Sequence, residues 1–333
     1  MENNHKNEHK KPDTHQLQAR IALAVIFGIA LMLLIHSRMQ LDERAVIPFE
    51  GMFVRPGERL LLPRPEMPVA DRLNRPIVIP DNIQHIVTIG PGITRMVMAL
   101  GYSDKIIATD VYSAPLLEQD LFVIDPQQID VQHITALRPC IIFAADDTVT
   151  QMGGITTVPV VFFVEQTSIT EINQDILFMA RVMDSWMAGN ILITNIYTDA
   201  LGLYRFATAY VNRRYRVYFE TSTLPHSVGH NTLFHNILGW LGAENIFAQQ
   251  EGIVIVACED VFLAAPDIII TTVSTDAVNE IKTRPGWCYL SAVINGRVYF
   301  VDTGGVALPT ANVVDIMLNI VEILYPELFS AGD

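Results

Sequence analysis

Short apolar runs alternate with segments of helical periodicity over most of this chain. Helical patterns occur over 93–100 and 231–241, and runs typical of buried strands occupy 85–90, 105–109, 139–144, 158–164, 216–220, 267–272 and 297–301. Such alternation predicts an α/β fold with parallel sheets that carry helices on both faces. The pattern occurs twice, with about four strands up to residue 164 and about three after residue 215.

A long helical region separates the two sets of strands. Its first part, over 170–183, has one apolar stripe made of Ile172, Ile176, Met179 and Met183. After a break near Asp184 and Ser185, a second helix over 185–210 is predicted, and its length is about 40 Å. One long helix between two α/β lobes predicts a ligand cleft beside it, because open α/β sheets bind ligands at the carboxyl ends of their strands.

The amino-terminal residues predict a membrane anchor. A polar tail over 1–20 precedes an uninterrupted apolar run over 21–35, which as a helix covers about 22 Å of the roughly 30 Å hydrocarbon core. This length lies between that of a signal-peptide core and that of a spanning helix. Since no small-x-small cleavage site follows, the sequence favours an uncleaved transmembrane signal anchor over 21–37, and cleavage stays an open alternative.

The residues around this segment predict where the body lies. Slightly more basic residues precede the apolar run than follow it, which favours a cytoplasmic amino end. The chain is then a single-pass protein of the cytoplasmic membrane, with its body on the extracytoplasmic (periplasmic) side. No cysteine precedes Cys140, so a lipoprotein anchor is not expected. Prolines punctuate residues 38–68, which are predicted to form a semi-rigid linker: Pro48, Pro56, Pro63, Pro65 and Pro68.

Composition narrows the range of functions. The 333-residue chain is 50% hydrophobic, which excludes wholesale disorder, and its net charge of −14 argues against nucleic-acid binding. No GxSxG, HExxH, P-loop or CxxC motif is present, so no catalytic residue is predicted. The three cysteines have apolar neighbours and are expected to be buried, unreactive thiols, with their disulfide pairing left open: Cys140, Cys258 and Cys288.

Several short motifs follow one another in a characteristic order. In one-letter code they are MALG and DKII over 98–107, ITALRP over 134–139, GWLGAENIF over 239–247, EDV and APDIII over 259–270, RPGW over 284–287 and NGRVY over 295–299. From residue 69 to about 329, this order resembles the helical-backbone periplasmic binding proteins of ABC transporters for ferric siderophores, haem and cobalamin.

The resemblance implies both an architecture and a role. It implies two Rossmann-like lobes, over 69–168 and 213–330, that are joined by bridging helices over 169–212 and enclose a ligand cleft. It also implies a monomer that captures a metal chelate (a ferric siderophore, haem or a corrinoid) and delivers it to an ABC permease in the membrane. Such a protein has no cofactor of its own and is not an enzyme.

Three departures from the family pattern leave a second function open, and one of them is tethering by a helix rather than by a lipid or a cleavable signal, which is less usual in the family. Members dock on the permease through one glutamate on each lobe; Glu259 matches the second-lobe position, whereas Gln132 occupies the first-lobe position. Segment 308–312 reads LPTAN and lacks both arginines that face an anionic ligand in some relatives. The alternative function is therefore a ligand sensor or scaffold that keeps the binding-protein fold without transport.

Loops that follow strands supply the candidate ligand contacts, which are Gly90, Gly92, Tyr112, Asp146, Thr221 and His226. The two glycines begin a helix whose amides can meet an anion, or they form a plain tight turn. Tyr112 offers an aromatic face and, as phenolate, a hard ligand for ferric iron, or it is an ordinary rim tyrosine. Asp146 can accept hydrogen bonds or bind a hard metal, although complementing a helix dipole is the commoner role.

Three histidines lie close together in the segment 220–235 of the second lobe: His226, His230 and His235. Imidazole is the commonest transition-metal ligand among side chains. His226 follows a strand and is predicted to face the cleft, where it contacts the ligand, binds the metal of a chelate or stays a solvated loop residue. A three-histidine zinc site is not expected, because a loop and a helix that begins after an Asn231 N-cap place the rings on different faces.

Overall fold

The computed structural model describes residues 66–152, 157–210, 213–222, 226–303 and 310–329. The predicted cytoplasmic tail, the transmembrane segment predicted over 21–37 and nearly all of the predicted linker lie outside the described residues. Within those ranges, no helix is both long and apolar enough to cross a membrane.

Among the described residues, the first sheet contains five strands, all parallel. They are β1 (Ile86–Ile89), β2 (Ile106–Asp110), β3 (Phe122–Ile124), β4 (Ile141–Ala145) and β5 (Val160–Phe163), in the spatial order β3-β2-β1-β4-β5. Every residue of β1 and β5 is buried, as expected when both faces of a sheet are covered. The helices of this part are α1 (Pro91–Ala99), α2 (Val131–Ala136) and α3 (Val149–Met152).

The leading segment, residues 66–85, holds the outer edge of this sheet. The carboxylate of Asp71 accepts the N–H of Arg75 at 2.8 Å, which closes a turn. Arg72 then donates its N–H to the carbonyl of Phe162 on β5 at 3.2 Å. An uncovered edge strand invites pairing with other chains, so the leading segment protects β5.

Two helices follow the first sheet, α4 (Ile169–Val182) and α5 (Trp186–Tyr210), and they confirm the predicted long helical region. The predicted break between them is confirmed at Asp184, which has a φ of 51°. The 25 residues of α5 span about 37 Å. The helices approach closely where Gly189 faces Ala180, since a Cβ on Gly189 would lie only 2.5 Å from the Ala180 methyl.

A buried carboxylate connects α4 to the leading segment. The side chain of Asp175 is fully buried on α4, where it forms an ion pair with Arg72 and accepts a 2.6 Å hydrogen bond from the Gln166 amide. Burial raises the pKa of Asp175 above its usual range. The ion pair and the hydrogen bond offset the desolvation of this carboxylate and fix the leading segment against the helix.

In the part of the chain that the structure describes, the second sheet has six strands and mixed directions. They are β6 (Arg216–Glu220), β7 (His226–Val228), β8 (Glu244–Asn245), β9 (Ile253–Ile255), β10 (Ile268–Thr271) and β11 (Val298–Phe300), in the order β11-β10-β6-β7-β9, and β8 also pairs with β6. Strands β6, β8, β10 and β11 are parallel, whereas β7 is antiparallel to both of its neighbours. The associated helices are α6 (Leu233–Trp240), α7 (Cys258–Ala264), α8 (Thr275–Thr283), α9 (Ser291–Ile294) and, after the sheet, α10 (Val313–Leu324).

The prediction of about three parallel strands in this part is therefore wrong in number and partly wrong in direction. Strands β7, β8 and β9 have only two or three residues each. A hairpin after β6 reverses the chain, so that β7 runs antiparallel. Such short strands give no period that sequence can reveal. Short 3-10 turns complete the fold at Ser103–Lys105, Ala114–Leu116, Asp146–Thr148, Trp287–Tyr289 and Pro326–Leu328.

One cluster of buried apolar side chains runs from the first sheet through the long helices to the second sheet. It includes Ile86 and Phe143, then Ile176 and Ile196, then Phe219 and Ile270. Two tyrosine hydroxyls reinforce it, since Tyr102 donates to the carbonyl of Met183 at 2.9 Å and Tyr325 to that of Leu241 at 3.0 Å. The shared core indicates that the two lobes are held by α4, α5 and α10 as one body.

The three cysteines are not bonded to one another. Cys140 and Cys258 are half-buried, and Cys288 is exposed. The prediction of a buried thiol is therefore wrong for Cys288. It lies in the 3-10 turn beside Trp287, whose ring is 1% exposed, and a short turn that sends one side chain into the core leaves the next one in water.

Candidate functional site

The carboxyl edge of the first sheet is organised by Asp110, the last residue of β2. Its carboxylate accepts the N–H of Gly90 at 2.8 Å and that of Tyr112 at 2.9 Å, together with the N–H and hydroxyl of Ser113. The side chain is 1% exposed. Asp110 thus fixes the loop after β1 and the loop after β2 with a single group, a role that the sequence analysis did not identify.

A chain of buried threonine hydroxyls lies beneath the loop after β1. The hydroxyls of Thr88 and Thr109 are 2.9 Å apart, and Thr94 donates to Thr88 at 2.8 Å. Gly90 bends the chain between β1 and α1 with a φ of 120°, which glycine adopts without strain. These contacts set the position at which α1 begins, and with it the position of Gly92.

Gly92 is covered by a residue from the far end of the chain. The hydroxyl of Thr310 donates to the Gly92 carbonyl at 2.9 Å, and Thr310 is 3% exposed. A Cβ on Gly92 would lie 2.7 Å from the Thr310 methyl. Because β11 is parallel to β10 and β6, the chain leaves the carboxyl edge of the second sheet at Phe300 and reaches this loop ten residues later.

Tyr112 and Asp146 lie at the same edge of the first sheet. Tyr112 is 53% exposed, with its backbone fixed by Asp110, so its ring is accessible to a ligand. Asp146 begins the 3-10 turn after β4, in agreement with the helix-start role. Glu165, which follows β5, was not predicted. Desolvation by burial and the charge of Asp146 raise the pKa of Glu165.

The carboxyl edge of the second sheet brings two predicted residues together. The N–H of Thr221 donates to the carbonyl of His226 at 3.1 Å, across the hairpin that joins β6 and β7. The hydroxyl of Ser222 lies 2.7 Å from Nδ1 of His226, which orients the imidazole. Both predicted residues are half-buried. His226 begins β7, antiparallel to β6, rather than lying in a loop after β6, and its contact with a ligand stays a prediction.

A buried ion pair supports this hairpin from below. Glu220, the last residue of β6, is fully buried and accepts two hydrogen bonds from Arg284 at 2.6 and 2.9 Å. The hydroxyl of Tyr218 donates to the same carboxylate at 3.0 Å, and burial raises the pKa of Tyr218. Arg284 lies over the Trp287 ring at 4.7 Å. The RPGW motif thus holds the end of β6 through its arginine.

The other two histidines lie away from this hairpin. His230 pairs with Glu251 in a β-bridge, and His235 lies on α6 with Nδ1 3.3 Å from the Asn245 amide. Burial and the charge of His230 lower the pKa of His235. Within the described part of the chain, no group of three or more His, Cys, Asp or Glu side chains is arranged to hold a metal ion.

The predicted N-cap of α6 is wrong by one residue. Thr232 caps the helix, because its hydroxyl accepts the N–H of His235 at 3.4 Å. Asn231 instead has a φ of 58°, a conformation that asparagine tolerates better than most residues, and its amide donates to Glu251.

The two positions that the resemblance assigns to permease docking are exposed. Gln132 lies in the first turn of α2 and Glu259 in the first turn of α7. On α7, Phe262 and Leu263 follow Glu259 at the i+3 and i+4 spacing that places residues on one helix face, and Leu263 is 81% exposed. The second-lobe surface therefore combines a carboxylate with exposed apolar side chains.

Comparison with known proteins finds relatives that share this architecture. A family model described as "Periplasmic binding protein" matches residues 86–303. The ABC transporter substrate-binding lipoprotein YvrC of Bacillus subtilis (strain 168) is 24% identical over 276 residues, which cover 78% of this chain and 86% of the relative.

Solved structures share the fold at low sequence identity. The molybdate periplasmic binding protein MolA of Haemophilus influenzae has a TM-score of 0.67 and 20% identity, covering 80% of this chain and 93% of its own. A periplasmic haem-binding protein from Pseudomonas aeruginosa has a TM-score of 0.65 and 18% identity, covering 74% and 94%. At such identities the likeness establishes the fold, and the ligand has to be argued from the residues of this chain.

Proposed function

Because this chain belongs to the periplasmic binding protein family, whose members are substrate-binding proteins rather than enzymes, we propose that it captures a metal chelate for an ABC importer. The chelate is a ferric siderophore, haem or a corrinoid. One observation carries the proposal: the chain that leaves the carboxyl edge of the second sheet packs on Gly92 at the carboxyl edge of the first sheet. We infer that the two edges border one space, because open α/β sheets bind ligands at the carboxyl ends of their strands.

The residues that border this space suit recognition of a chelate. Tyr112 offers an accessible aromatic face from the first lobe, and His226 offers an imidazole that Ser222 orients on the second lobe. Asp146, after β4, and Thr221, after β6, add hydrogen-bonding groups at the carboxyl ends of their strands. An aromatic face, an imidazole and hydrogen-bonding groups match the mixed apolar and polar surface of a chelate.

Delivery of the ligand involves a membrane partner. Glu259 is exposed at the start of α7, where it can pair with a basic residue of a permease, while Gln132 offers only a polar contact on the first lobe. In this proposal the body lies outside the cytoplasm and the segment 21–37 tethers it to the membrane. The relative from Bacillus subtilis is named a substrate-binding lipoprotein of an ABC transporter.

A ligand screen on the full-length protein tests the proposal. Fluorescence quenching and visible absorption would be followed against ferric siderophores, haemin and cyanocobalamin. We expect saturable binding at about micromolar Kd or tighter to one of these classes. Tyr112→Ala and His226→Ala should each weaken it by about tenfold, whereas His230→Ala, a histidine outside the site, should not. A folded protein that binds none of the three classes would contradict the proposal.

Gln132 specifically favours the alternative, a ligand sensor or scaffold, because it removes one of the two charges expected for docking. Glu259→Lys distinguishes the two functions in cells that depend on the protein for uptake. For an importer, uptake falls while the affinity for the ligand is unchanged, because Glu259 lies on α7 and outside the proposed ligand contacts. Unchanged uptake in this variant would favour the sensor or scaffold.

A further inference from the structure

The amino end of α1 is the position at which the first lobe could bind an anion. Pro91 begins the helix directly after β1, and backbone amides at a helix start carry partial positive charge. Gly92 leaves the backbone there without a side chain, which permits a ligand to approach closely. Whether an anion can bind therefore depends on what already occupies the space around Gly92.

Thr310 occupies this space. Its hydroxyl donates to the Gly92 carbonyl at 2.9 Å, and its methyl group lies 2.7 Å from the place where a Cβ of Gly92 would be. With 3% of its surface exposed, Thr310 is packed between the loop and the rest of the protein. The face of Gly92 that lacks a side chain is therefore filled by the protein itself.

The surroundings of this loop are acidic. The buried carboxylate of Asp110 accepts the N–H of Gly90 at 2.8 Å, so a negative charge already lies at the helix start. Asp146 and Glu165 follow β4 and β5 at the same edge of the sheet, and their mutual repulsion contributes to the raised pKa of Glu165. An anionic group of a ligand at this edge is therefore repelled by these carboxylates.

We propose that Thr310 is a specificity-determining residue that closes the amino end of α1, so that the chelate presents neutral or cationic groups, and no oxyanion, to the first lobe. The inference rests on the proposed function and names the charge class of its ligand. Amides, hydroxyls or an ammonium group on the periphery of the chelate suit the acidic edge formed by Asp146 and Glu165.

Binding of chelates of different charge to the full-length protein tests this inference. The probes are ferrioxamine B, a hydroxamate chelate with a free ammonium group, uncharged cyanocobalamin, the anionic tris-catecholate ferric enterobactin, and haemin with its two carboxylates. We expect ferrioxamine B or cyanocobalamin to bind at least about tenfold more tightly than either anionic probe. An anionic probe that binds best would overturn the inference while the proposed function stands. If no chelate binds, the proposed function fails and the inference with it.

Variants separate the role of Thr310 from general effects on folding. Thr310→Gly uncovers Gly92 and should reduce the ratio of affinities between neutral or cationic and anionic probes by about tenfold. Thr310→Val keeps a methyl group over Gly92 and should leave this ratio unchanged. Equal preferences in these two variants would contradict a role for the methyl cover. Asp146→Asn combined with Glu165→Gln should also narrow the preference. Asp199→Asn combined with Asp315→Asn, a pair of neighbouring acids on α5 and α10, is the matched control and should leave it unchanged.

Discussion

Asp110 shows how a single buried side chain positions the loops at the carboxyl edge of the first sheet. It follows four residues of a buried strand, and its carboxylate accepts hydrogen bonds from backbone groups of two different loops. Sequence indicates neither this role nor the contact of Thr310 with Gly92, because each joins residues that lie far apart in the chain. Tyr112, Asp146 and His226 were predicted because each directly follows or begins a strand. The position of a residue in its own loop is readable from sequence, whereas its partner in another loop is not.

Replacing Asp110 by alanine should destabilise the protein. The N–H groups of Gly90, Tyr112 and Ser113 would lose their acceptor in a buried place, which costs about 2–4 kcal/mol in free energy of unfolding. Urea denaturation measures the effect. Asp104→Ala, at an exposed position, is the control and should change stability by less than about 0.5 kcal/mol. Equal midpoints for the two variants would show that Asp110 is not needed to hold the loops.

At the scale of elements, periodicity gives the long units and misses the short ones. Helices α4 and α5 and the break at Asp184 follow from the apolar stripe and from the change of pattern that sequence shows. Strand β9 contains Ile253 and Ile255, which are 54% and 78% exposed, so its hydrophobic pattern does not report burial. The position of strand β7 depends on its pairing with β6 and β9, which the local sequence pattern does not report. Tertiary pairing rather than local preference decides such segments.

The contact between α5 and α10 predicts a pH-dependent stability. Desolvation and the charge of Asp315 raise the pKa of Asp199, so the folded protein binds this proton more tightly than the unfolded chain does. The charged form of Asp199 thus lowers the free energy of unfolding at neutral pH. This loss of stability disappears as the pH falls below the usual carboxylate pKa of about 4. Asp199→Asn should stabilise the protein at pH 7 by about 0.5 kcal/mol and lose this advantage in acid.

Thermal unfolding of the Asp199→Asn variant between pH 7 and pH 4 measures this gain. Asp120→Asn, in an exposed loop of the first lobe, is the control for the loss of one negative charge. A gain of the same size at both ends of the pH range would show that the charge of Asp199 is not the cause.

At the scale of the whole molecule, the shared core limits how the lobes move. Buried side chains of both sheets and of α4 and α5 belong to one cluster, and α10 packs against α5. A stiff helix and a continuous core favour small adjustments on ligand binding over a wide hinge movement. For the proposed function, this predicts that the space between the two sheet edges is largely formed before a ligand arrives.

The continuous core predicts that both lobes unfold together. Trp240 and Trp287 belong to the second lobe and Trp186 begins α5, so tryptophan fluorescence reports on the second lobe and the long helix. Far-ultraviolet circular dichroism instead follows the helices and strands of both lobes. Urea curves from tryptophan fluorescence and from circular dichroism should therefore coincide. Two separate transitions would show that the lobes are independent units. Gly189→Leu, which forces α4 and α5 apart at Ala180, should shift both curves to lower urea by the same amount.

Mechanical load on the chain enters the folded body through the leading segment. A pull on the residues before Glu66 acts first on Asp71 and Arg72, which are held to β5 through Phe162. Arg72 also forms the buried ion pair with Asp175 on α4, so the same pull is shared between an edge strand and a central helix. These contacts resist in parallel and have to break together before the sheet loses its edge. Tension applied at residue 66 is therefore resisted by these contacts before it reaches the loops at the carboxyl edge of the first sheet.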